Sequence, residues 1–352
     1  QRFWIFFITK LLSGWLILLL AISMTEPFSV LIVGCGNIAG DYDEQCGTEA
    51  VLTHAGAYNQ DPRFQIRACV EPDVARRENF MEYWSIKKGF DDLASCLAAS
   101  DKFDVISLCM PTHAHAEALE LILPMSPGCV FVEKPLTADL VRSRKIIDAY
   151  SAAGIPLAVN YMRRWDESMK RLRDELKSGA WGKVQAISGI YAKGIFNCGS
   201  HFFDLLHFLV GPLDPRAVFS RVRDGRFEDP TYSVLLETKN GAPVTLMGTD
   251  GNSYFSFEID LVMEKGRLTL EDLGGRLRCR KVQLHPIYQG QPTLAEGDWQ
   301  NTGLSIALAR AVSNIFDHLV LGVPLESNGK SALEAEELCG QIMMMAKEGD
   351  AV

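Results

Sequence analysis

A lysine at the end of a short apolar strand is the first candidate for chemistry. Cys129-Val130-Phe131-Val132 runs straight into Glu133-Lys134-Pro135. The proline confines Lys134 to extended backbone, so its ammonium is aimed rather than free. A group held this way suits an oxygen on which negative charge develops. A histidine is the second candidate. In Asn197-Cys198-Gly199-Ser200-His201, Ser200 reads as an N-cap, which places His201 in the first turn of a helix. The positive end of the helix dipole then lowers the His201 pKa and favours the neutral, proton-accepting form. Asp204 and His207 follow at helical spacing and read as a polar pair satisfied on that helix.

Three motifs upstream say what these groups would face. Val33-Gly34-Cys35-Gly36-Asn37-Ile38-Ala39-Gly40 follows an apolar run. Gly34 allows the tight turn, Gly36 lets backbone approach a pyrophosphate, and Ala39 or Gly40 permits close packing. The pyrophosphate would sit at the N-terminus of the next helix, with Gly34, Gly36, Asn37 and Ile38 as its contacts. The second strand ends at Cys69-Val70-Glu71. An acidic residue there takes the ribose hydroxyls and disfavours a 2′-phosphate, so Glu71 points to NAD over NADP. Arg76 and Arg77 lie just beyond and are either a counter-argument or a solvated helix face. The interval from Gly36 to Glu71 exceeds the usual spacing of about 20 residues. The excess reads as an inserted polar loop, Asp41 to Gly47, which is either a lid or a mere insertion. Met110-Pro111-Thr112-His113-Ala114-His115 follows the fourth strand, at the sheet edge where ligands bind in such folds. Pro111 would line the nicotinamide pocket and Thr112 would cap a helix, and a purely structural role fits both equally. His113 and His115 lack an i, i+4 spacing, so no metal is assigned. His115 and Glu133 join Pro111, Thr112 and Lys134 as candidate cofactor contacts.

The elements that must position these residues fall into two patterns. From Met24 to about residue 145, short apolar strands alternate with helices. The strands are Phe28 to Val33 and about 64–70, 104–109, 129–132 and 156–159. The helices are about 49–60, 73–84, 91–99, 113–124 and 137–153. This is the signature of a doubly wound parallel α/β domain, assigned to residues 24–145. The remainder, 146–352, reads as an α+β domain with a large, mostly antiparallel open sheet. A helix at about 166–178, a strand at 183–192 and a helix at 200–210 lead into six sequential strands between about 215 and 283, with turn signals such as Lys239-Asn240-Gly241. Two helices, about 303–321 and 329–347, close the chain.

Composition narrows the function classes. The chain has 352 residues, 47% hydrophobic and 22% charged, with net charge −9. It carries no basic run, which argues against nucleic acid as a partner. The nine cysteines form no Cys-x-x-Cys pair, and Cys35, Cys69, Cys109 and Cys129 sit inside apolar runs. Free thiols in a reducing, cytoplasmic compartment fit this better than disulfides or zinc. Residues 1–23 form a separate apolar extension. The stretch from Phe3 to Ile22 is long enough to span a bilayer, although the chain begins at Gln1 and Met24 stands just before the first strand. It reads as sequence upstream of a true start at Met24, as a membrane anchor, or as a signal peptide. Against the last, no small-x-small cleavage site or twin arginine is evident. A membrane partner follows only if residues 3–22 belong to the natural protein.

The chain resembles the Gfo/Idh/MocA family (glucose–fructose oxidoreductase, inositol dehydrogenase and rhizopine-catabolism proteins) over about residues 27–350. The resemblance rests on the loop 34–40, Pro111 with His115, Glu133-Lys134-Pro135, Tyr161 with Arg164-Trp165, and the stretch from Gly199 to Gly211 with His201 and Asp204. It implies a Rossmann domain followed by a domain on a large open sheet, through which homodimers or homotetramers pack. It implies NAD(P)-dependent oxidation or reduction of a sugar, cyclitol or nucleotide-sugar hydroxyl, and similarity to members acting in surface-polysaccharide sugar metabolism. It places Lys134 and His201 at the family's catalytic lysine and histidine. The family's aspartate position, four residues before the histidine, is Asn197 here, which can orient a hydroxyl but cannot accept a proton. Tyr161, Arg164, Lys193, Asn197 and His201 are the candidate substrate contacts. For Arg164 the alternative is an ion pair with Asp166 or Glu167. Two other functions share the fold: a non-catalytic cofactor-bound sensor, and an enzyme recycling tightly held NAD for elimination or hydrolysis.

Overall fold

The computed structural model describes residues 26–46 and 50–349. The extension 1–23 lies outside them, as does Gly47 of the polar loop.

Six strands form the first sheet: β1 (Phe28–Val33), β2 (Phe64–Val70), β3 (Lys88–Phe90), β4 (Val105–Leu108), β5 (Cys129–Val132) and β6 (Leu157–Val159). Their order is β3-β2-β1-β4-β5-β6, and every neighbouring pair is parallel. The central strands are buried on both faces, which is why β1, β4 and β5 read as continuous apolar runs. The chain winds outward from β1 in both directions, so the β1–β4 boundary is the topological switch point where ligands settle in such sheets. Helices cover the two faces: α1 (Tyr42–Cys46), α2 (His54–Gln60), α3 (Val74–Tyr83), α4 (Leu93–Ala98), α5 (His115–Ile122) and α6 (Leu140–Ala153).

The parallel unit does not end near residue 145, the boundary drawn from the sequence. That position falls inside α6, and β6 pairs with β5 beyond it. Late in the chain, α9 (Ala307–Leu321) returns to this unit and buries Leu308, Ala311, Val312 and Ile315 in its core. The open apolar flank over β1 and α2 needs a cover, and α9 supplies it from far along the sequence.

The second sheet has nine strands. After α7 (Glu167–Lys177), β7 (Val184–Ala192) and α8 (Ser200–Val210) come β8 (Leu213–Arg221), β9 (Tyr232–Thr238), β10 (Pro243–Thr249), β11 (Phe257–Met263), β12 (Gly266–Glu271), β13 (Arg276–Leu284), β14 (Pro292–Leu294) and β15 (Trp299–Asn301). The path is β14-β13-β12-β11-β7-β10-β9-β8, with β15 beside β13. Pairing is antiparallel except between β7 and β10. One face packs on α8, which contributes Phe202, Phe203, Leu205, Leu206 and Leu209, and on α10 (Gly329–Gly349). The other face is open and carries the alternate residues of each strand.

Candidate active site

The loop after β1 is built around two glycines with different duties. Gly34 has φ +87, and a Cβ there would meet Met110 N at 2.8 Å. Only glycine lets the loops after β1 and β4 approach so closely. Gly36 is extended, and a Cβ built on it would meet nothing within 4 Å, so backbone is bare at the place where a phosphate must come near. Of the two residues expected to permit close packing, Gly40 is the critical one. A Cβ there would strike Trp84 Nε1 at 2.3 Å and Phe80 at 2.6 Å. The polar stretch after it is folded rather than loose: residues Asn37–Asp41 form a wide helical turn that leads into α1. The Asp43 carboxylate accepts from Leu52 N at 2.8 Å, Thr53 N at 3.1 Å and Thr53 Oγ at 2.5 Å, tying the insertion to the start of α2.

Glu71 sits at the tip of β2, 5% exposed. Its Oε2 accepts from Cys35 N at 3.0 Å and its Oε1 from Asp73 N at 3.1 Å. Arg76 lies 3.7 Å from Oε1, and Arg77 donates to the Glu71 carbonyl. Both arginines contact Glu71, and Arg76 does so from the solvated face of the helix.

The Glu133-Lys134-Pro135 turn emerges from β5, and the Lys134–Pro135 bond is cis. Four side chains brace it. Glu133 Oε1 contacts His54 Nε2 at 2.9 Å and accepts from Asn160 Nδ2 at 2.5 Å. Burial pushes the Glu133 carboxyl up, but His54, Asn160 and Lys134 outweigh it and leave it below the usual value. His115, fully buried, holds the turn from behind: its Nδ1 lies 3.1 Å from Pro135 O and its Nε2 lies 2.9 Å from Met110 O. Glu336 comes from α10 and accepts from Leu136 N at 2.8 Å. Glu133 and His115, read from sequence as cofactor contacts, are thus placed as supports of the lysine. Thr112 is the first residue of the short turn Thr112–Ala114 and makes no capping hydrogen bond, which corrects its reading as a cap.

Lys134 points at the second unit. Its Nζ donates to Asn197 Oδ1 at 2.8 Å and to Asn197 O at 3.0 Å. Burial lowers its pKa, partly offset by Glu133, Cys198 and Asp229. Asn197 lies in a wide helical turn, Ile195–Gly199, that runs without a break into α8. Ser200 is therefore not an N-cap. Its backbone is helical, and its Oγ donates back to Phe196 O at 2.5 Å. The same fact changes the account of His201. Its pKa lies well below 6.5, as expected, but burial is the main cause, followed by the positive charges of Lys134 and Arg163. The helix N-terminus is a turn away. The His201 ring packs edge-on against Tyr161, with centroids 5.4 Å apart.

The remaining candidates divide. Tyr161 is buried, and its OH donates to Glu336 Oε1 at 3.1 Å. Arg164 pairs with neither Asp166 nor Glu167: its Nε donates to Asp204 at 2.8 and 3.0 Å. That bond also undoes the expected Asp204–His207 pair. His207 Nε2 is buried without a hydrogen bond among the described residues, and burial pushes its pKa down to about 4. Lys193 adopts φ +68 at the end of β7, with its ammonium 4.6 Å from the Phe255 ring centre. Arg163, which the sequence did not single out, is the arginine whose charge acts on both Lys134 and His201. It is buried, its guanidinium lies 3.8 Å from the Phe257 ring centre, and its Nε has no partner among the described residues. Two adjacent arginines give no periodicity that would choose between them.

Known proteins agree with this architecture. Residues 28–161 match the model of an oxidoreductase family with an NAD-binding Rossmann fold. The inositol 2-dehydrogenase of Corynebacterium glutamicum is 26% identical over 282 residues, 73% of this chain and 77% of that one. A D-apiose dehydrogenase of Paraburkholderia graminis is 22% identical across 93% of this chain and 90% of its own. Among solved structures, the WlbA dehydrogenase of Bordetella pertussis, in complex with NADH and UDP-GlcNAcA, superposes with a TM-score of 0.73. It covers 92% of this chain and 97% of its own at 18% identity, a likeness of fold.

Proposed function

The chain belongs to the Gfo/Idh/MocA family of oxidoreductases, and from that premise we propose that it moves a hydride between a nicotinamide dinucleotide and a hydroxyl or keto carbon of a sugar, cyclitol or nucleotide sugar. The observation that carries this reading is the meeting of Lys134 and Asn197 at the mouth of the parallel sheet, with His201 one helical turn further on. The residues after β1 fit the dinucleotide: bare backbone at Gly36, a tight turn at Gly34, and Asn37 and Ile38 opening the next turn. When bound, the nicotinamide supplies the redox chemistry.

The chain's own groups supply the rest. Lys134 binds the reacting oxygen and stabilises the negative charge that grows on it. His201, kept neutral by its surroundings, takes the hydroxyl proton in oxidation and returns it in reduction. Asn197 orients Lys134 and the substrate hydroxyl but takes no proton. Lys193 borders the substrate, and Tyr161, buried with its hydroxyl on Glu336, backs the His201 ring. Arg164 faces Asp204, and its part is to fix the α8 backbone under His201. We assign NAD over NADP because Glu71 is anchored beside the glycine loop, where a ribose must lie. Homodimers or homotetramers form through the open face of the second sheet.

The test is NADH formation or consumption against a panel of inositols, free sugars and UDP-sugars. Turnover on one class, cut by orders of magnitude in Lys134→Ala while calorimetry shows NAD binding nearly intact, is the expected result. Turnover that survives Lys134→Ala removes the lysine from the mechanism. Tight NAD binding with no turnover on any substrate turns the reading to a sensor.

A further inference from the structure

Lys134 would be poorly neutralised if Asn197 were its only partner, because the family's carboxylate is missing from that place. A carboxylate is nevertheless present, delivered from elsewhere. Asp229 lies in the connection between β8 and β9. Its Oδ1 accepts from Phe196 N at 2.8 Å, and its Oδ2 accepts from Asn197 N at 2.9 Å across 32 residues of sequence. The neighbouring backbone reinforces the contact. Gly194 N donates to Thr231 Oγ at 2.9 Å and Ile195 N to Pro230 O at 3.0 Å. Gly194, at φ +92, leaves the room: a Cβ there would lie 2.0 Å from Asp229 Oδ2.

We propose that Asp229 stands in for the absent carboxylate, adding through the Phe196–Asn197 peptide turn to the negative charge of Glu133 and so helping to hold Lys134 as an ammonium aimed at the substrate oxygen. Asp229 acts through its neighbours and is a positioning residue. Charge at Asp229 and charge at Lys134 favour one another. Burial works against both, raising the carboxyl and lowering the amine. The other charges in play are Glu133, Cys198 and Arg163 facing Lys134, Arg226 facing Asp229, and, on the helices packed behind the turn, His201 and Glu336. Cys198 belongs to the Asn197 turn and Cys339 Sγ donates to Ile195 O in it, but burial pushes both thiols up toward the neutral form. Among the carboxylates of the described residues, Asp229 is the one hydrogen-bonded to that turn. The proposal deepens the functional reading above and rests on it for its meaning, but its test requires neither substrate nor turnover.

The test is competitive labelling of lysines with trace acetic anhydride across a pH series, reading the Lys134 peptide by mass spectrometry. The reactive free amine of Lys134 should appear at lower pH than that of surface lysines. In Asp229→Asn, and in Asp229→Ser should the first variant fold poorly, the midpoint should fall by a further unit or so, about tenfold more free amine at a given pH. Adding Asn197→Asp to either variant should return the midpoint to the natural value or above it. A midpoint unmoved in the folded Asp229 variants overturns the proposal. So does a shift that Asn197→Asp fails to reverse, because that is the behaviour of a residue that merely shapes the loop. A failed search for substrate leaves these midpoints as they are, so the two ideas fail separately.

Discussion

His201 shares its pocket with two cations, Lys134 and Arg163, and is itself half-buried. Each of these disfavours the imidazolium, so the ring is neutral well below pH 6.5. For a general base this sets the sign of the pH dependence. Oxidation needs the neutral ring, so kcat/KM should stay level through neutral pH, with its acid limb below the ordinary histidine range. His201→Asn should remove that limb and slow turnover by about 10²–10⁴-fold. A variant with the parent's pH profile would show that another group carries the proton. His207, six residues on, is the control. It is lowered to about 4 by burial and by Arg164, so His207→Asn should leave the limb where it was.

The C-terminal helix α10 reaches the site through Cys339, whose Sγ donates to Ile195 O, and through Glu336, fully buried and bonded to Leu136 N and to the Tyr161 hydroxyl. Burial pushes the Glu336 carboxyl up to about 8, and its Oε2 has no partner among the described residues. A folded-state value above the unfolded one means that the folded protein holds a proton the unfolded chain has released. Stability therefore falls as pH rises from about 4.5 to about 8 and is lost in full above that, on the order of a few kcal/mol. Glu336→Gln keeps the acceptor and the shape but cannot ionise. Its melting temperature should fall less steeply over that interval, and it should be the more stable protein above pH 8; parallel melting curves would refute this. Glu336 also shows where reading the sequence stops. Lys134 and the glycine loop were legible because each is announced by immediate neighbours, and Asn197 because the resemblance fixes its place four residues before His201. Asp229 and Glu336 reach the site across 32 and 200 residues with no local signature. The long apolar strands were legible for the same local reason. β3 was missed because it is three residues with an exposed lysine at its head. Ser200 looked like a cap because a serine after Gly199 commonly is one, whereas here the preceding wide turn has already begun the helix.

At the scale of the molecule, the second sheet has helices on one face and open space on the other, and the open face is where apolar side chains are exposed in register. Met247 on β10 lies beside Ile190 on β7, which lies beside Glu258 on β11. In the next row Leu235 on β9 is followed by Thr245 and Ser188. Ile190, Leu235 and Met247 are each about two-fifths exposed, at 40%, 37% and 41%. Charges lie one strand along in the same rows: Glu258 beside Ile190, and Asp260, which holds Arg267 at 2.7 Å, beside Ser188. Exposed apolar side chains interleaved with polar and charged ones, such as Glu258 beside Ile190, fit an interface no more apolar than an ordinary protein surface. Its size is adequate: six strands of about seven residues, at about 4.8 Å between strands and 3.3 Å per residue, present roughly 600 Å² per protomer. Two such faces together then remove roughly 1,200 Å² from water, the lower end of what a stable pair buries. Sedimentation of the natural protein should accordingly give a dimer or tetramer. Placing aspartates at Ile190 and Met247 together puts like charges into the middle of a self-complementary contact. Because both side chains are exposed in the single chain, the fold should survive, with unchanged circular dichroism, while the assembly dissociates to the monomer. A natural protein that sediments as a monomer at micromolar concentration, or a double variant that remains fully associated, would show that the open sheet face is not the contact.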